Sequence, residues 1–209
     1  MRSTTAAFCD IFERYFSIPK STAMHFVQQL REDESIFRRG KRGLGAIEPT
    51  TSEIANWTTA LCAATATTRK SPDTLDTVRY ARAAVRLSDF DLDTRCSAEA
   101  IGDLAIGRAK TYGEAVDSLI DDMRSGTFET WKNDQITTLT VRYFNNGGRI
   151  VINLTRYDSG DSPASQAVFV YRSDNPADQA ASLTYIHEME GDALEALAKV
   201  LGPIPPPPY

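Results

Sequence analysis

The sequence predicts an α+β protein: a mainly helical N-terminal part, a further helical segment, a small three-stranded antiparallel sheet and a C-terminal helix. Two observations carry that prediction. Apolar residues recur with a helical period from Ala7 to about Gly126, then alternate singly after Trp131. Asn145-Asn146-Gly147-Gly148 separates two alternating runs, as expected of a hairpin turn whose residues accept positive φ. Composition agrees with a soluble globular chain: 209 residues, 42% hydrophobic and 24% charged. No apolar run approaches the roughly 18 residues that a membrane span needs. The N-terminus carries charges through its apolar part, unlike a secretory signal. Three well-separated cysteines (Cys9, Cys62, Cys96) lack metal-ligand spacing and predict buried free thiols in a reducing, cytoplasmic setting.

Each element has a local reason. Phe8, Ile11, Phe12 and Tyr15 stripe a helix over 7–16, which Ser17-Ile18-Pro19 breaks because proline lacks the amide hydrogen of a helix interior. A second helix follows, with Pro19 near its first turn and Ala23, Phe26, Val27 and Leu30 as its buried stripe. Three glycines between Gly40 and Gly45 suit a tight hairpin or mobile loop. Thr50 and Glu53 form a capping box before a helix striped by Ile54, Trp57, Leu61 and Ala64, and 65–71 reads as a linker. Further helices are expected over about 71–88, from Ser97 through Leu104, and from the Thr111/Glu114 capping box to Gly126. Strands are expected over 136–144, 149–156 and 166–172, then a helix over about 176–200 striped by Leu183, Ile186, Leu194 and Leu197. The five prolines of the 202–209 tail cannot extend that helix. The expected organisation is a domain over 1–68, a second over 69–202 and a proline-rich tail over 203–209.

Charge is uneven along the chain. Residues 1–48 hold eight basic and six acidic residues, a balance of +2, which leaves −7 for the remainder of a chain whose net charge is −5. A basic head on an acidic body docks on phosphate through the head alone.

Phe16-Ser17-Ile18-Pro19-Lys20-Ser21-Thr22-Ala23-Met24-His25-Phe26-Val27-Gln28-Gln29-Leu30 resembles the turn and recognition helix of winged helix-turn-helix regulators such as the IclR type. The segment to about residue 65 is similar to N-terminal domains of bacteriophage and mobile-element regulators from proteobacteria. There, a Gly/Arg-rich stretch and an alanine-rich helix follow the recognition helix. The resemblance covers about a third of the chain, and His25 stands where such motifs commonly have arginine. It implies a sequence-specific transcriptional regulator binding double-stranded DNA as a homodimer, since one helix reads only about half a site. Ser21 and Thr22 would contact bases or phosphates, Gln28 or Gln29 would pair with adenine, and Lys20 would reach a phosphate. Met24 and His25 complete that helix face. Arg38, Arg39, Lys41 and Arg42 stand at the wing, suited to phosphate or the minor groove.

Other constellations fail on spacing. Asp89-Phe90-Asp91-Leu92-Asp93 lacks the glycine and glutamate that complete a calcium loop. His187-Glu188-Met189-Glu190 lacks the second histidine of a zinc-protease helix. No nucleophile elbow or phosphate-binding loop is present, so neither catalysis nor a cofactor is expected. An alternative function is an interaction module, for example an anti-defence protein, whose acidic body engages a host protein through a sheet edge while its head regulates its own gene. A third makes the region between the sheet and the last helix a small-molecule sensor.

Overall fold

The computed structural model describes residues 4–39, 48–64, 71–87, 101–133, 135–144, 148–157, 163–174 and 186–204. Helix α1 (Thr4–Phe16) buries Phe8 and Phe12 completely, whereas Tyr15, expected on the same stripe, is 39% exposed. Ser17 then turns the chain with φ 53°, and extended Pro19 leads directly into α2 (Lys20–Leu30). Helix α3 (Thr51–Thr59) opens on the expected capping box: Thr50 Oγ1 accepts from the Glu53 amide at 3.2 Å, and the Thr50 amide donates to Glu53 Oε2 at 2.7 Å. Its last turn widens into a π-helix over Ala60–Ala64. The same cap opens α5 (Tyr112–Ser125) at Thr111 and Glu114, and Gly126, with φ 83°, ends it as expected.

Helix α4 (Ser71–Ala83) stops short of the expected residue 88. Val85 and Arg86 instead form a short strand β1, and Val85 is 58% exposed. Backbone pairing decides this: the Arg86 amide donates to the Lys110 carbonyl and the Leu87 amide to the Val170 carbonyl, both at 2.8 Å. The helix expected from Ser97 begins outside the described residues, which show a 3-10 turn over Ala105–Arg108. A short helix α6 (Thr127–Lys132) precedes the sheet.

Among the described residues the sheet has five strands rather than three. Strands β2 (Ile136–Phe144), β3 (Arg149–Tyr157) and β4 (Pro163–Arg172) are the expected meander, and β1 and β5 (Ile186–Glu190) flank it in the order β1-β4-β3-β2-β5, every pair antiparallel. Ile186–Glu190 was expected as helix; it pairs with Thr140–Phe144, and the helix α7 starts only at Gly191 and runs to Leu201. The turn residues Asn145 to Gly147 lie outside the described residues, but Phe144 opposite Arg149 fixes the hairpin register.

Alternation places one apolar face in register. Leu139, Val141 and Tyr143 lie opposite Leu154, Ile152 and Ile150, which lie opposite Ala167, Phe169 and Tyr171; all are buried. Helices cover that face. Helix α5 packs against α3, α4, α6 and α7, and α1 packs on α7, so residues of the N-terminal helices and of the sheet belong to one continuous apolar cluster.

Candidate nucleic-acid interface

Trp57 fixes the attitude of α2. It is fully buried, its indole N–H donates to the Ala23 carbonyl at 3.0 Å, and Phe8, Phe12 and Phe37 meet it edge-on at 6.1, 4.8 and 6.1 Å between ring centres. Such pairs contribute about 0.5–1.5 kcal/mol each beyond their burial. With Ala23, Phe26, Val27 and Leu30 held inside, the opposite face of α2 is left in water.

That face carries Ser21, His25 and Gln28, all exposed and spaced four and three apart, so they form one ridge. Thr22 and Met24 are half-buried beside it, and Met24 packs against the core. No carboxylate lies between Arg14 and Arg31 in the sequence. Gln29 does not face outward. It is 8% exposed, its amide nitrogen lies 2.9 Å from His25 Nε2, and its oxygen accepts from the Thr74 hydroxyl of α4 at 3.1 Å.

The basic residues are engaged. Lys20 Nζ lies 2.6 Å from Asp10 and 3.3 Å from Glu13, two carboxylates of α1 whose hydrogen bonds raise the ammonium pKa. Arg38 grips Glu53 through Nε at 2.7 Å and Nη2 at 2.8 Å, and its Nη2 also donates to the Glu48 carbonyl at 3.1 Å. Arg39 Nε donates to the Arg31 carbonyl at 2.7 Å. Both arginines remain exposed. Lys41 and Arg42, the other two residues assigned to the wing, lie outside the described residues.

Sequence reasoning missed the groups that hold this face. Thr74 and Gln29 meet across 45 positions, and Asn56 Nδ2 donates to the Ile36 carbonyl at 2.8 Å to pin the segment after α2. Only Glu53 left a trace, as half of a capping box, and nothing marked it as the partner of Arg38.

Elsewhere, burial pushes the Cys9 thiol up and carries Cys62 to about 12, so neither is a thiolate at neutral pH. A cavity of about 430 Å³ lies between β2, α6 and the start of α7, lined by Thr137, Thr138 and Asp192 among others; Lys132 in its wall is bound to Glu129 and Glu195 at 3.1 and 2.5 Å. Among the described residues no cluster of three metal-ligating side chains occurs, and no helix is long and apolar enough to cross a membrane. The chain matches no protein-family model, no curated protein and no solved structure.

Proposed function

We propose that the chain is a sequence-specific DNA-binding transcriptional regulator of the phage or mobile-element kind, acting as a homodimer with α2 in the major groove. The observation that carries this reading is the ridge of Ser21, His25 and Gln28. These short or planar polar side chains stand on a helix whose other face is locked by Trp57, with no carboxylate on the helix itself. Lys20 is compatible with it. Its pair with Asp10 and Glu13 is solvent-exposed, a class worth about 0–1 kcal/mol, so a phosphate competes for the ammonium. Arg39, Lys41 and Arg42 supply further phosphate contacts in this reading, while Arg38 serves mainly to hold Glu53. The acidic remainder of the chain keeps DNA on the head.

The test is enrichment of sites from a random duplex pool, followed by affinity measured against salt concentration. The expected result is an enriched, two-fold symmetric motif. The double change Lys41→Ala with Arg42→Ala should weaken binding to all sequences and lower the salt slope by about two. The double change Ser21→Ala with Gln28→Ala should instead relax the motif. No enriched motif would overturn the reading, and a motif with unchanged salt slope in the Lys41/Arg42 variant would remove the wing from it.

A further inference from the structure

His25 is exposed on the ridge, and its ring meets a buried side-chain amide. Gln29 lies one turn on, buried, with its amide nitrogen 2.9 Å from His25 Nε2. The Gln29 oxygen faces Thr74, whose hydroxyl, on a residue 1% exposed, donates to it at 3.1 Å. An amide nitrogen only donates, so in this assigned network Nε2 of the neutral ring must accept, and the ring proton belongs on Nδ1. Among the described residues nothing binds Nδ1. The chain Thr74–Gln29–His25 therefore runs from a buried hydroxyl on α4 to one N–H on the solvent face of α2, with every donor along it pointing outward.

We propose that Thr74 and Gln29 are positioning residues that hold neutral His25 as the Nδ1–H form, and that this N–H reads the acceptor edge of a guanine in the major groove. This rests on the DNA-binding reading above. The choice of base follows from chemistry: a lone donor with no acceptor beside it suits guanine, which sets N7 and O6 side by side, whereas adenine places an amino donor next to N7. It differs from what arginine would do at the same place, because arginine brings a forked, charged pair of donors and binds phosphate as readily as base. A neutral ring held by a buried amide gains little from phosphate and depends on direction.

Two measurements test it, the first without DNA. Proton–nitrogen correlation of histidine labelled with nitrogen-15, recorded at pH 8, should show His25 protonated on Nδ1. His25→Asn assigns the signal, since the chain has only two histidines. Gln29→Leu, which keeps the bulk and removes the amide, should return the ring to the Nε2–H form that free imidazole prefers, and Thr74→Val should shift it part of the way. A wild-type ring protonated on Nε2 overturns the proposal. The second measurement compares sites enriched from a random pool by the wild type, His25→Ala and Gln29→Leu. One guanine preference should fall by about fivefold, the lower end for a base contact, at the same position in both variants, with the rest of the motif kept. An unchanged motif in His25→Ala, or uniform weakening on all sequences, overturns the base contact while leaving the DNA-binding reading in place. The absence of any wild-type motif removes both, whatever the tautomer.

Discussion

One carboxylate, Glu53, satisfies the start of α3 and the end of the α2 connection together. Oε1 accepts from the Arg38 amide at 2.8 Å and Arg38 Nε at 2.7 Å; Oε2 accepts from Arg38 Nη2 at 2.8 Å and the Thr50 amide at 2.7 Å. All four of its acceptor positions are used. Burial pushes this carboxyl pKa up, but the hydrogen bonds from Arg38 and Thr50 outweigh burial and the net shift is downward. A depressed carboxylate contributes stability above its unfolded pKa, about 4.3, and loses it as pH falls through the lower folded value. Glu53→Gln replaces acceptors with an amide nitrogen that faces other donors. The expected cost at pH 7 is about 2 kcal/mol, below the 3–5 of a fully buried broken pair because Arg38 is 44% exposed. Urea unfolding at pH 7 and pH 3 should show a smaller difference in the variant than in the wild type. An equal difference would mean that Glu53 titrates in the folded state as it does unfolded. Asp33 titrates in an overlapping range: bonds from Ser35 and then Arg79 lower it to about 2, so its contribution is lost between its unfolded value, about 3.9, and about pH 2, in the wild type and the variant alike.

At the scale of elements, the junction between β5 and α7 decides where the last helix begins. Gly191 is the first residue of α7, and a Cβ there would stand 2.8 Å from Leu139 Cβ on the buried face of β2. Helix propensity alone predicts that Gly191→Ala stabilises by about 0.5–1 kcal/mol. Packing opposes it, at about 1–3 kcal/mol for overfilling a tight contact, and wins because Leu139 is 5% exposed and held opposite Leu154. Gly191→Ala should therefore destabilise. A neutral or stabilising Gly191→Ala in thermal unfolding would show that the contact is loose. This junction was not legible in the sequence, because Ile186-His187-Glu188-Met189-Glu190 contains good helix formers and becomes a strand only by pairing with β2. Capping boxes at Thr50/Glu53 and Thr111/Glu114 were legible, since both partners lie within four residues. The inner sheet face was legible because a period of two needs no partner to be seen. The α2 stripe could be read for the same reason, and the ridge opposite it by subtraction. What holds the ridge could not: Asp10 and Glu13 reach Lys20 across a turn, and Thr74 reaches Gln29 from another helix.

At the scale of the molecule, the N-terminal helices and the sheet share their interior. Helix α1 packs on α7, and polar clasps tie α3 to the later helices: Thr51 Oγ1 donates to Asp121 at 2.7 Å, Arg82 Nη2 donates to Ser52 Oγ at 3.2 Å, and Arg124 Nη1 donates to Thr51 Oγ1 at 2.6 Å. Removing the first 64 residues would expose the apolar side of α7 and α5, at about 25 cal/mol for each Å² uncovered. A head that unfolds independently would have to leave that surface in water, so the whole chain should unfold in one cooperative step although it exceeds the size at which such behaviour is usual. Two tryptophans make this measurable. Trp57 sits among the N-terminal helices and Trp131 on α6 beside Phe128, at 5.3 Å between ring centres. In Trp131→Phe, fluorescence reports Trp57 alone and far-ultraviolet circular dichroism reports the whole chain; the two urea transitions should coincide. In Trp57→Phe, destabilised by the lost bond to Ala23, the Trp131 transition should move to lower urea together with the dichroism, because a defect in the head is then felt by the sheet. A Trp131 midpoint unmoved by Trp57→Phe would show that residues 1–68 form a separate cooperative unit, with the sheet and its helices stable without it.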